Sequence, residues 1–233
     1  MSNRPATNRA ELYNISRYVT EIYDQTETQR EDLVLIKSLI GSRSARILEP
    51  FCGHGRLLIP LAEAGHEVVG MDLSQVFLQH LQERLEALSP EVRRRVTFRR
   101  ADVIEDEWPN GFDVVLLAAN CLYELATAQE QEHCIKCAAE ALVPGGHLYL
   151  DNDHMEGELD PSWCRSGIRQ NVFPTGICAD GTRVWDSSEV IWYDKACRLI
   201  RFRRTVTIET PDGQVSKQEW TQQKHPPSTD EMM

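Results

Sequence analysis

The chain has 233 residues, 41% of them hydrophobic and 26% charged, with 36 acidic against 25 basic side chains and a net charge of -11. Such a chain can bury one substantial core and is too apolar to be wholly disordered. The acidic balance disfavours non-specific binding of nucleic acid phosphates. The longest uninterrupted aliphatic run, 114–119, falls far short of the roughly 20 residues of a membrane span, and the polar start Met-Ser-Asn-Arg-Pro is not a signal peptide.

Seven cysteines, at 52, 121, 134, 137, 164, 178 and 197, have no paired spacing, which points to a reducing cytoplasm rather than a disulfide framework. Cys134 and Cys137 beside His133 read as small side chains on one helix face, not as half a zinc site, and no metal is expected.

Helical character over residues 10–39 comes first. From 46 to 152, β-branched runs then alternate with segments of helical period, the pattern of a parallel sheet wrapped by helices. Strands are predicted at 46–49, 67–71, 96–100, 113–117 and 147–151, with helices at 57–64, 75–87 and 129–142 between them. Val76, Leu78, Leu81, Leu85 and Leu88 illustrate the helical spacing. Pro144-Gly145-Gly146 is predicted to stop the last helix and return the chain into the fifth strand.

Beyond residue 152 the period changes to two. Asp180-Gly181, Asp194-Lys195 and Pro211-Asp212-Gly213 mark three hairpins that divide 169–224 into about four antiparallel strands. In the third, Ile200, Phe202, Val206 and Ile208 alternate with Arg201, Arg203, Thr205 and Thr207, which predicts one buried and one wet face.

Chemistry concentrates in Ile47-Leu48-Glu49-Pro50-Phe51-Cys52-Gly53-His54-Gly55-Arg56, which runs from the first strand into the first helix of the sheet. Gly53 and Gly55 allow a sharp turn and close backbone approach to a ligand, and the helix that follows turns its unpaired amides toward the same place. Asp72, 19 positions after Gly53, ends the second strand, where a carboxylate accepts from both hydroxyls of a ribose. Asp102 ends the third strand. The three acids thus fall at the carboxyl ends of adjacent strands, where open α/β sheets bind ligands.

With these motifs the sequence resembles the class I S-adenosylmethionine-dependent methyltransferases over about 18–152. Glu49, Phe51, Gly53 and Gly55 stand at the family's acid and G-x-G-x-G turn, with Phe51 replacing the first glycine. Residues 65–74, 112–120 and 142–148 match its second, fourth and fifth strand motifs. The resemblance implies a Rossmann-like doubly wound parallel sheet of order 3-2-1-4-5 with an appended antiparallel β subdomain. It also implies two closing strands that do not follow in these 233 residues, leaving an open sheet edge through which a homo-oligomer would form.

The implied domains are an N-terminal helical cap plus cofactor-binding domain over 1–154, an antiparallel lid and substrate subdomain over 155–225, and the start of an incomplete helix over 226–233. The implied cofactor is S-adenosylmethionine. Gly53 and Gly55 would lie against its methionyl part, Glu49 would favour its ammonium, and Asp72 with Leu73 would hold the ribose. Asp102 and the Val103 amide would read the adenine edge, the backbone near Asn120 would lie beside the sulfonium, and Tyr23 would belong to a helix closing over the cofactor.

Methyl transfer from a sulfonium is an in-line displacement in which a general base is optional. His154 and Tyr123 are the candidates for one, and Trp163, Trp185 and Trp192 for walls of an acceptor pocket. The acceptor is expected to be an N or O nucleophile on a small molecule, with neither nucleic acid nor membrane as partner. Two rivals are a shortened, weakly catalytic cofactor-binding or partner-binding protein and an NAD(P)-dependent oxidoreductase. The latter expects a third glycine at position 58, which is Leu58.

Overall fold

The computed structural model describes residues 16–28, 30–152, 159, 161, 165 and 167–232. Two compact units result. One contains residues 28–121 and 129–152, and the other groups residues 122–128 and the described part of 153–233 with the N-terminal helix.

The first unit holds the parallel sheet. Its strands β1 (Arg46–Glu49), β2 (Glu67–Asp72), β3 (Val96–Arg100), β4 (Phe112–Leu117) and β5 (Leu142–Leu150) pair in parallel in the order β3-β2-β1-β4-β5. β1 and β4, at the centre, are the most apolar, because a parallel strand covered on both faces has no polar side: Ile47, Leu48, Val115, Leu116 and Leu117 are all buried. Leu57, Leu58, Leu61, Leu78, Leu81 and Leu85, from the helical segments after β1 and β2, close the core over them.

The expected strands hold their positions to within a residue, except the fifth. β5 begins at Leu142, which pairs with Phe112, and the register resumes only at Val114 with His147. Residues 143–146 therefore bulge opposite Asp113, and Gly145 at φ +82° takes a conformation that an L side chain resists. Pro144-Gly145-Gly146 thus interrupts a strand already begun, rather than separating helix from strand. A short helix over Pro90–Arg94, capped by Ser89 with proline in its first turn, is also present.

The N-terminal region is two helices, Arg17–Thr26 and Glu31–Ile40. The first departs from the domain division expected from sequence, because it clusters with the antiparallel unit and not with the parallel sheet. Ile22 and Tyr18 pack with Cys178, Val184, Val206, Ile208 and Trp220, and a Cβ placed on Gly176 would meet Ile22 Cδ1 at 2.5 Å. Its apolar face thus finds its core on the second sheet.

In that unit β6 (Gly167–Ile177), β7 (Arg183–Asp194), β8 (Leu199–Glu209) and β9 (Val215–Lys224) form an antiparallel sheet in sequence order, with all three predicted hairpins in place. The alternation in β8 is less clean than predicted. Arg204 shares the row of Ile200, Phe202, Val206 and Ile208 and is buried with them, and Thr207 is buried from the opposite row. Arg204 is tolerated there because its Nε donates to Oδ2 of the fully buried Asp186 at 2.9 Å. The final helical turn, Thr229–Met232, carries the expected cap: Ser228 Oγ accepts from Glu231 N at 3.3 Å, and Glu231 Oε2 accepts from Ser228 N at 2.7 Å.

Candidate functional site

Glu49 ends β1, and the turn after it is built by two glycines in the left-handed region, Gly53 at φ +52° and Gly55 at φ +82°. Gly55 is also sterically confined, since a Cβ there would stand 2.6 Å from Leu81 Cδ1. The turn is tied to the next strand. Gly53 N donates to Asp72 Oδ2 at 2.8 Å, and Cys52 N donates to Met71 O at 3.0 Å. Asp72 Oδ1 accepts from Ser74 N at 2.8 Å, and Ser74 in turn caps the helix Gln75–Glu86 through the Phe77 amide. Leu73 O receives Arg100 Nε at 3.1 Å, which fixes the backbone just beyond the acid.

At the end of β3, Asp102 Oδ1 accepts from Ile104 N at 2.9 Å, Asp102 N donates to Asp106 Oδ2 at 2.7 Å, and Val103 O accepts from Trp108 Nε1 at 3.0 Å. After β4, Ala119 and Asn120 both adopt φ +59°, a conformation unfavourable for residues with a Cβ, and Asp151 Oδ1 holds the Asn120 amide at 3.0 Å. Strained backbone is thereby concentrated at the mouth of the sheet, beside the point where strand order reverses between β1 and β4.

Electrostatics single out Glu49. Burial pushes its carboxyl up to about 8, against the pull of the Arg56 guanidinium and with Asp72 and Asp32 adding like-charge repulsion. Arg56 is itself committed to a two-point contact with Asp32, Nη1 to Oδ1 at 3.0 Å and Nη2 to Oδ2 at 2.5 Å. Glu49 Oε2 is buried and has no hydrogen-bond partner among the described residues. A buried carboxylate oxygen without a donor suits a cationic ligand group.

The first unit therefore brings together eight of the residues singled out from sequence: Glu49, Gly53, Gly55, Asp72, Leu73, Asp102, Val103 and Asn120. Tyr23 and Tyr123 fall in the other unit, Tyr23 half-buried on the helix Arg17–Thr26 and Tyr123 buried in the 3-10 turn Cys121–Glu124. His154 and Trp163 lie outside the described residues. Trp192 is on the exposed part of β7, where Arg201 stacks on it at 5.4 Å, which argues against its walling a pocket. Sequence reasoning missed Arg56 with Asp32, Asp151, and the contact of Arg84 with His54. Only the capping position of Ser74, three residues before Phe77, left a readable signal. Among the described residues no three His, Cys, Asp or Glu side chains are placed to hold a metal ion, and no helix is long and apolar enough to cross a membrane.

A parallel sheet of order 3-2-1-4-5, with a glycine turn after its first strand and an acid ending its second, defines a Rossmann-like domain for a ribose-bearing cofactor. Residues 48–148 match the family model described as "Methyltransferase domain". Among relatives, it is 34% identical over 107 residues to the putative methyltransferase YqeM of Bacillus subtilis, an alignment covering 46% of this chain and 41% of that protein. It is 33% identical over 112 residues to a ubiquinone biosynthesis O-methyltransferase of Idiomarina loihiensis, covering 47% and 43%. The matches thus span less than half of either relative's length. The fold is similar to that of the sugar N-methyltransferase KedS8 from Streptoalloteichus, with a TM-score of 0.65 at 18% identity, over 90% of this chain and 78% of that one.

The residues present fit S-adenosylmethionine. The unpartnered Glu49 oxygen suits its ammonium, the Asp72 carboxylate suits a ribose diol, and Gly55 keeps its turn free of a side chain for which there is no room.

Proposed function

We propose that this protein is a methyltransferase that moves the methyl group of S-adenosylmethionine to a nitrogen or oxygen nucleophile of a small molecule. The observation that carries the reading is the joining of the Gly53 amide to Asp72, with the buried and partnerless Glu49 oxygen beside them. When bound, the cofactor supplies a methyl carbon on a positively charged sulfur, so that a nucleophile's lone pair forms the new bond as the sulfur–carbon bond breaks.

What the chain's own residues do is bind and orient. Glu49 receives the ammonium, Asp72 with Leu73 the ribose, and Asp102 with the Val103 amide the adenine edge. The Asn120 backbone, held by Asp151, supports the region where the reacting carbon lies. The antiparallel unit, with the helix that carries Tyr23 packed on its sheet, carries the acceptor. The proton released by the nucleophile passes to Tyr123, His154 or water. The protein works in the cytoplasm as an association of copies. Leu58, at the place where a dinucleotide-binding turn has its third glycine, is fully buried in the core, which disfavours the oxidoreductase reading.

The test is an acceptor screen with isotopically labelled methyl donor, followed by sedimentation of the active species. Label transferred to a small amine or hydroxyl compound supports the reading. Tight cofactor binding with no transfer to any acceptor class supports a binding protein instead.

A further inference from the structure

The glycine turn is gripped from two sides, and only one of them is the ribose acid. His54, between Gly53 and Gly55, is 4% exposed, with its ring edge-on to Phe77 at 5.7 Å and to His80 at 6.0 Å. Arg84 reaches back from the same helix. Its Nη1 donates to His54 O at 2.9 Å and lies 2.5 Å from His54 Nδ1. A guanidinium only donates, so Nδ1 accepts and the ring is the neutral tautomer with its proton on Nε2. Phe77, His80 and Arg84 are spaced three and four apart, so a single helix face holds ring and carbonyl together. The His54 carbonyl shares one peptide plane with the Gly55 amide, so holding the carbonyl orients that amide, which donates to Cys52 O at 2.8 Å.

We propose that Arg84 is a positioning residue for cofactor binding. Through the His54 carbonyl and ring it holds the Gly53-His54-Gly55 turn in the shape that receives the aminocarboxylate tail of S-adenosylmethionine, while the nucleoside is held by Asp72 and Asp102, whose carboxylates are also anchored by the Ser74 and Ile104 amides. This rests on the cofactor reading above. It separates two parts of one ligand by what holds each. The tail depends on the turn, and the turn depends on Arg84. The nucleoside depends on strand-end carboxylates that Arg84 does not touch among the contacts described.

Two probes test it by calorimetric titration of the full chain: S-adenosylhomocysteine, which has the tail, and 5′-deoxy-5′-methylthioadenosine, which lacks it. Arg84→Met keeps the aliphatic stem of a half-buried side chain and removes both donors. We expect it to weaken the tailed probe about tenfold while leaving the tailless probe within about twofold. Arg84→Lys, which keeps the charge and donates from one ammonium nitrogen, should lose less. A parallel loss of both probes, or no loss of either, overturns the proposal. Were the parent protein to bind neither probe, the cofactor reading itself would fall and this inference with it, an outcome distinct from a failure confined to the variants.

Discussion

Gly53 N and Asp72 Oδ2, 19 positions apart in sequence, are joined at 2.8 Å, which ties the turn after β1 to the acid at the end of β2. The acid is already oriented before any ligand arrives, because its other oxygen holds the Ser74 amide. A carboxylate fixed in this way gives up little freedom when it accepts from a diol. Most of the affinity of such a site then rests on few atoms, and its dependence on pH rests on one neighbour.

That neighbour is Glu49, raised to about 8 by burial and therefore mainly protonated at neutral pH in the free protein. An ammonium ligand favours the ionised form, so binding should release a proton near pH 7. S-adenosylhomocysteine affinity should increase with pH between 6 and 7, by up to about tenfold. Titration in buffers of different ionisation enthalpy measures the proton, and Glu49→Gln should abolish both the release and the slope.

Folding of the ligand-free protein should show the opposite trend. A carboxyl raised from 4.5 to about 8 binds its proton more tightly folded than unfolded, so its contribution is present below about pH 4.5 and is lost as pH rises through 8. Thermal melts of the parent and Glu49→Gln between pH 5 and 8 should therefore differ in slope, with the parent losing stability faster. Parallel curves would remove Glu49 from this role.

Gly70 lies in β2 against the underside of the turn. A Cβ there would stand 2.7 Å from both Cys52 Sγ and Leu58 Cδ1 and 3.1 Å from Cys52 Cβ. Gly70→Ala should destabilise the protein by about 1–3 kcal/mol through overpacking. Chemical denaturation reads this as a lowered midpoint at unchanged slope.

In the antiparallel unit, Arg204 and Asp186 are an ion pair whose side chains are 11% and 0% exposed. Burial raises the Asp186 carboxyl to about 6, while Arg204 opposes the rise. Asp186→Ala removes the buried carboxylate that faces the guanidinium and should cost about 3–5 kcal/mol, whereas the double variant Asp186→Leu with Arg204→Met should recover most of it. Denaturation of the single and double variants checks both halves.

How much of this was legible in the sequence depended on range. The parallel sheet was readable because each strand and helix declares its own period, and the glycines, Asp72 and Asp102 sit at strand ends that follow from those periods. Arg84 gave no signal. Its partner His54 lies 30 positions away, and a lone arginine on a helix reads as solvent-facing until the turn is seen beneath it. Arg204 was equally silent, because period two marks the buried row but not which member of it is polar. The bulge at 143–146 was hidden by a Pro-Gly-Gly that looks like a simple stop. The place of the first helix was not legible, because its apolar face does not say which of two sheets it covers.

The most direct measurement is calorimetric titration of S-adenosylhomocysteine into the parent protein and Asp72→Ala. Asp72 would supply two charge-assisted hydrogen bonds of about 1.5–3 kcal/mol each to the ribose, and its loss also unties Gly53. The account predicts saturable one-to-one binding by the parent and a loss of at least about a hundredfold in the variant. Equal affinity in the two proteins, or no binding by a folded parent, would contradict it.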